Sequence, residues 1–107
     1  MIIAVTRHPA LVAWLGQEGI SIDSFQQHLD ISGVSEGDIV VGNLPVHLAA
    51  EVCEKGASYV NISVDVPREL RGQELSLADL ERYDCRLEGY SVIRQPGPDK
   101  GVVSASD

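Results

Sequence analysis

The chain has 107 residues, 44% of them hydrophobic, and its 16 acidic and 8 basic residues give a formal charge of −8. That length holds one domain, which hides roughly 65% of the unfolded surface on folding, and the composition fits neither a disordered tail nor a membrane span. No apolar run nears the ~20 residues of a transmembrane helix, and no basic region precedes the opening Met-Ile-Ile-Ala-Val, so the expected location is the cytoplasm, with no membrane partner. So acidic a chain is poorly suited to a sequence-blind grip on DNA, which needs many phosphate-facing cations. Cys53 and Cys85 form no CxxC pair and read as buried thiols of a reducing compartment.

In chain order, Met1 to Val5 is a short apolar strand, followed by the tight loop Thr6-Arg7-His8 and by Pro9, a residue favoured at the first position of a helix because its missing N–H would be unpaired there. Leu11, Trp14 and Leu15 form the apolar stripe of that helix, with Val12 beside it, and Gly19 stops it. Phe25 to Leu29 reads as a second strand and residues 32–38 as a loop, before the β-branched strand Ile39-Val40-Val41. Gly42-Asn43-Leu44-Pro45 repeats the arrangement of strand, short loop and proline. The spacing predicts a helix over Val46 to Lys55 with Val46, Ala49, Ala50 and Cys53 inward, closed by Gly56. Tyr59 to Val66 alternates, with Val60, Ile62, Val64 and Val66 on one face and Tyr59, Asn61, Ser63 and Asp65 on the other; a strand covered on both sides would be apolar on both, so the polar face is expected to meet solvent, a cleft or an interface. After Pro67 and the charged loop Arg68 to Gly72, Ser76 and Asp79 have the spacing of a capping box and Leu75 and Leu80 that of a hydrophobic staple, with Leu77 and Leu80 anchoring a third helix. A last strand is expected over Arg86 to Arg94, closing a domain of residues 1–94, and Gln95 to Asp107 reads as a disordered tail. The order β-α-β-β-α-β-α-β predicts a mainly parallel α/β sheet of about five strands with three helices.

In open α/β sheets ligands gather beyond the carboxyl ends of the strands, where helix N-termini also point. Two loops fall there, Thr6-Arg7-His8-Pro9 and Gly42-Asn43-Leu44-Pro45-Val46-His47, and together they carry one arginine, two histidines and no carboxylate. In a chain of this charge that is a place for an anion, helped by about half a positive charge at each helix start. Arg7 suits a phosphate because its planar fork meets two oxygens at once; the plain alternative is a solvated arginine or a partner for Asp30. His8 suits proton transfer near neutral pH, against a simple helix-capping role, and His47, in the first turn of its helix, suits a general base, against packing on the neighbouring loop. Thr6 and Asn43 suit a sugar hydroxyl or base edge, although Asn43 is also a turn former. Arg68 and Arg71 flank the end of the fourth strand and can reach the same rim, and Ser63, Asn61 and Asp65 line either a cleft or an interface. His28 and Trp14 read as packing residues. No GxGxxG, Walker or GxSxG sequence occurs, and three scattered histidines make a poor zinc site, so neither a metal nor a cofactor is expected.

The segments VTRHPALVAWLGQEGI, GDIVVGNLPVHLAAEVCEKGASYVNISVDVP and ELRGQELS resemble a family of small CRISPR-associated proteins of type III systems, which share the T-R-H-P motif, the W-L helix, G-x-L-P-V-H-L-A-A and E-L-R-G. The resemblance runs from Ile3 to Val92; Ala10 departs from it, because the family usually continues with glycine there. It implies a Rossmann-like fold similar to the sensor domains of CRISPR ancillary proteins (CARF-like), a homodimer, and a ring nuclease that binds cyclic oligoadenylate, taken as the tetramer, and linearises it to end antiviral signalling. The implied chemistry is metal-independent: a ribose 2′-hydroxyl attacks the neighbouring phosphorus and leaves a 2′,3′-cyclic phosphate. On that reading His47, Arg7 and His8 are the catalytic candidates, and Thr6, Gly42, Asn43, Arg71 and Ser63 the binding ones. Two other readings stay open, a protein that binds the ring without cutting it and an interaction subunit.

Overall fold

A computed structural model describes residues 1–98. Five strands, β1 (Ile2–Val5), β2 (Ser24–Gln26), β3 (Ile39–Gly42), β4 (Ser58–Ser63) and β5 (Arg86–Tyr90), form one sheet in the order β2-β1-β3-β4-β5. The first four run parallel and β5 is antiparallel to β4. With helices α1 (Pro9–Gln17), α2 (Val46–Glu54) and α3 (Leu77–Arg82), this is the mainly parallel α/β sheet that the element order predicts and the Rossmann-like architecture that the resemblance implies. The expected disordered tail lies partly in Gln95–Pro98, which carries no regular structure, and for the rest outside the described residues.

The chain leaves β1 toward β2 through α1 and leaves β3 toward β4 through α2. The two crossovers run in opposite directions along the sheet, and a common hand places their helices on opposite faces. Alternate strand residues divide accordingly. Ala4, Val41 and Ile62 pack with Leu11, Trp14 and Leu15 of α1 and Leu80 of α3. Ile3, Val40 and Tyr59 pack with Ala49 and Val52 of α2, together with Val34 and Ala57. Trp14 is a packing residue, as its spacing implies. The loop before β3 contains a 3-10 turn, Ile31–Gly33, pinned to the end of α2 by Lys55, whose Nζ donates to the carbonyls of Ile31 (2.6 Å) and Val34 (3.1 Å). A second 3-10 turn, Arg68–Leu70, occupies the charged loop.

Several expectations change. The second strand is Ser24–Gln26 rather than Phe25 to Leu29, so Gln27 and His28 leave it at the strand tip, and His28 is exposed instead of packed. Val46 is 73% exposed rather than inward: with Pro45 as the N-cap, the first turn of α2 stands above the sheet, and the buried face turns to Ala49, Ala50 and Val52. β4 ends at Ser63, short of Val66, and β5 ends at Tyr90, short of Arg94. Of the polar face of β4, Tyr59 lies beneath α2 at 5% exposure, Asn61 and Ser63 are half-buried, and only Asp65, beyond the strand end, is exposed. Both thiols are half-buried rather than buried. Burial, with the charge of Glu18 adding to it, pushes the Cys85 thiol up to about 11, so it stays protonated near neutral pH.

Candidate functional site

β1 lies between β2 and β3, and the chain departs from β1 and from β3 in opposite directions, which opens a crevice beyond their carboxyl ends. The register sets three strand tips at one level: Val5 pairs with Gln26 on one side and with Gly42 on the other, and the Thr6 amide donates to the Gln26 carbonyl at 3.0 Å. The loops beginning at Thr6, Gln27 and Asn43 therefore rise together around one opening.

The approach of β1 to β3 is close. A Cβ on Gly42 would stand 2.5 Å from the Val5 carbonyl oxygen, so only glycine fits there. Gly42 is buried, and its own carbonyl lies 3.2 Å from the Tyr59 hydroxyl. That hydroxyl donates to Asn61 Oδ1 at 2.6 Å and accepts from the Leu44 amide at 3.0 Å, while Asn61 Nδ2 donates to Ser63 Oγ at 2.9 Å. Burial raises the Tyr59 phenol above its ordinary value, against the lowering effect of the Leu44 N–H, which keeps it a neutral strut. The Tyr59–Asn61–Ser63 ladder thus fixes the loop after β3 from below. On the other side of the crevice Thr6 Oγ1 accepts from the His8 amide at 3.1 Å, and His8 caps α1 through its backbone, with no side-chain bond.

The opening is a cleft with two limbs. The larger, about 400 Å³, is lined by Thr6, Arg7, His8, Gln27, His28 and Asn43, with Val5, Leu11, Leu29, Leu44, Pro45 and Leu48 as its apolar floor. The smaller, about 250 Å³, runs between α1, α3 and the end of β4 and is mainly aliphatic. His8, Leu11 and Asn43 belong to both limbs. Among the described residues neither limb is lined by a carboxylate, although the chain carries a formal charge of −8. The fixed charge of Arg7, the backbone starts of two nine-residue helices and two imidazoles can accept an anion there.

The fold thus brings Thr6, Arg7, His8 and Asn43 together on one cleft. Gly42 sits below it as a spacer, and Ser63 stands in the supporting ladder. His47 is exposed on the first turn of α2, at the same end of the sheet but off the cleft lining. Arg71 lines a shallow hollow with Val64, Val66, Leu70, Gly72, Gln73 and Leu75, which adjoins the smaller limb through Val64, Val66, Gln73 and Leu75. Gln27, His28 and Gln73 line the cleft although none of them is assigned a site role from the sequence, which marks His28 as a packing residue. For the first two the signal was present: they follow a parallel strand next to β1, and placing the strand end at Gln26 puts them among the tip loops. No helix among the described residues is long and apolar enough to cross a membrane.

No curated protein and no solved structure matches the chain. Residues 3–93 match the family Cas_VVA1548, described as "Putative CRISPR-associated protein", and since this stretch includes every strand and helix apart from Ile2 of β1, and all the cleft residues named above, the chain belongs to that CRISPR-associated family.

Proposed function

We propose that the protein is a ring nuclease that binds cyclic oligoadenylate, the tetramer first, and linearises it. The observation that carries this reading is the carboxylate-free cleft at the β1/β3 tips of an otherwise acidic chain, lined by Thr6, Arg7, His8, His28 and Asn43. Membership of a CRISPR-associated family supports it, as a place where such a messenger has a use.

Nucleophile and electrophile belong to one ligand. The 2′-hydroxyl oxygen bonds to the adjacent phosphorus, the P–O5′ bond breaks, the hydroxyl proton departs and the leaving O5′ is protonated. The protein's main task is to hold the attacking oxygen, phosphorus and leaving oxygen in line, and such orientation is worth roughly 7–11 kcal/mol. Arg7 pairs with the non-bridging oxygens and offsets the charge that builds on them in the transition state. His8, which faces both limbs, moves a proton at the 2′-hydroxyl or at O5′, a contribution of about 10²–10⁴ in rate. His47, on the rim, has a smaller part to play.

The test is single-turnover cleavage of labelled cyclic tetra-adenylate by excess protein in the presence of EDTA. Linear products ending in a 2′,3′-cyclic phosphate are expected. Arg7→Ala is expected to weaken binding about tenfold or more, as loss of a charge-assisted contact does. His8→Ala is expected to slow cleavage 10²-fold or more with binding retained, and His47→Ala to change it less than tenfold. Retention of the intact ring by wild-type protein would make it a sequestering binder, absence of binding would make it an interaction subunit, and cleavage abolished by EDTA would overturn the metal-free route.

A further inference from the structure

The smaller limb differs in character from the one that carries Arg7. Its walls are aliphatic side chains from α1, β4 and α3, among them Leu11, Ile62 and Leu80, and its polar members are His8, Asn43 and Gln73. Such a limb, about 250 Å³ in size, holds a flat group with apolar faces and a polar edge. Because His8, Leu11 and Asn43 are common to both limbs, a ligand whose anionic part lies beside Arg7 extends into the aliphatic limb through one opening. A nucleoside phosphate has that division of character within a single residue.

Gln73 gives the limb a preference. One hydrogen of its Nε2 is engaged by the Glu69 carbonyl at 3.4 Å, while among the described residues nothing donates to Oε1, which is therefore an acceptor open to a ligand. Adenine offers a donor on its edge in the exocyclic amine. Hypoxanthine has a carbonyl oxygen at the same place, which would oppose Oε1 acceptor to acceptor, and a site discriminates as strongly by such a mismatch as by the bond it favours. Asn43, at the junction of the limbs, is placed for the sugar or the other end of the base.

We propose that the aliphatic limb between α1, β4 and α3 seats an adenine base, and that Gln73 is the residue that selects adenine by accepting a hydrogen bond from its exocyclic amine. The proposal rests on the reading of the cleft as a cyclic oligoadenylate site and adds the position and the reader of the base.

The full chain, labelled with ¹⁵N and with ¹³C at its methyl groups, is titrated with adenosine 5′-monophosphate, inosine 5′-monophosphate, ribose 5-phosphate and cyclic tetra-adenylate. The adenosine monophosphate is expected to shift the methyl signals of Val64, Leu75 and Leu80 and the side-chain amide of Gln73. Ribose 5-phosphate is expected to shift Thr6, Arg7 and His8 and leave those signals in place. Gln73→Ala, a change in an exposed loop that leaves both cores untouched, is expected to reduce the preference for adenosine over inosine monophosphate by about 5- to 150-fold, the range for a specific base-edge contact. Gln73→Glu, which keeps acceptor oxygens on a side chain of the same length but loses the bond to the Glu69 carbonyl, is expected to retain more of that preference than Gln73→Ala. If adenosine monophosphate perturbs only the Arg7 limb, or if the preference is the same in Gln73→Ala as in wild type, the base sits elsewhere and the proposal is overturned, while binding of cyclic tetra-adenylate leaves the nuclease reading standing. If no nucleotide probe binds, both fall.

Discussion

Two residues carry much of the geometry at the strand tips, and neither needs to touch a ligand to do so. Gly42 allows β3 to run against the end of β1, and a methyl group there meets a backbone carbonyl at 2.5 Å, an atom that cannot turn aside as a flexible side chain would. Gly42→Ala is therefore expected to spread the two tips and cost about 1–3 kcal/mol, read as a lower urea midpoint with an unchanged slope, and to weaken ring binding along with it. Tyr59 acts one layer lower. Tyr59→Phe keeps the packing against α2 but leaves the Leu44 amide and Asn61 Oδ1 without their partner, which for buried polar groups costs about 1–3 kcal/mol. The Leu44 amide is expected to lose most of its protection in hydrogen exchange, while the amides of β1 keep theirs. Both residues were visible in the sequence, and the role of each was hidden there. A glycine after a strand reads as the start of a turn, and a tyrosine in an alternating strand reads as its wet face. Register is what turns the first into a spacer and the second into a buried strut.

At the scale of the elements, the most legible piece is the shortest helix. Ser76 Oγ accepts from the Asp79 amide at 3.2 Å and Asp79 Oδ2 accepts from the Ser76 amide at 3.0 Å, the reciprocal cap that their spacing predicts, and Leu75 and Leu80 both pack into the α1-side core. Ser76→Ala is expected to cost about 1 kcal/mol in urea unfolding. The same cap gives stability a dependence on acid. The bond from the Ser76 backbone, and then its hydroxyl, hold the Asp79 carboxyl below its ordinary 3.8, and the Ser35 amide does the same for Asp38, where burial opposes it and the amino terminus adds to it. A carboxyl whose folded value lies below its unfolded one contributes stability that is complete above the unfolded value and lost as pH falls through the folded one. The urea midpoint is expected to be level from pH 7 to about 5 and to fall below about 3.8, with a shallower fall in Asp79→Asn. Local chemistry of this kind, like Pro9 opening α1 and the stripe of Leu11, Trp14 and Leu15, is written in neighbouring residues and reads correctly. The failures lie where distant parts decide. β2 is a three-residue edge strand with Phe25 51% exposed, so no alternation marks its ends. The exposure of Val46 depends on how far the first turn of α2 projects beyond the sheet. The placement of Gln73 depends on where the loop before α3 folds back, and no spacing in the chain states that.

For the molecule as a whole, charge is the quantity that separates the proposed site from the rest. A chain of formal charge −8 repels a polyphosphate at long range, and the cleft reverses this only locally, through Arg7 and the dipoles around it. The two limbs, about 400 and 250 Å³, are also small beside four linked nucleotides, whereas two copies related by a dyad offer two arginines and four limbs to a ring with the same symmetry. One ring per two chains is therefore the expected calorimetric stoichiometry. The salt dependence then carries information that affinity alone does not. Two phosphates neutralised by a pair of Arg7 side chains give log K a slope of about −1.4 against log salt, by the single-strand rule of about −0.7 for each. Screening of the general repulsion works in the opposite direction and makes the measured slope shallower, but still negative. In Arg7→Ala the local term is gone and the repulsion remains, so the slope is expected to change sign, with binding weak at low salt and stronger as salt is added. Anisotropy titrations of labelled ring between about 50 and 500 mM salt, a change of about tenfold in the square of the screening length, would show it. A slope equally negative in both proteins would mean that the phosphates are held by something other than Arg7.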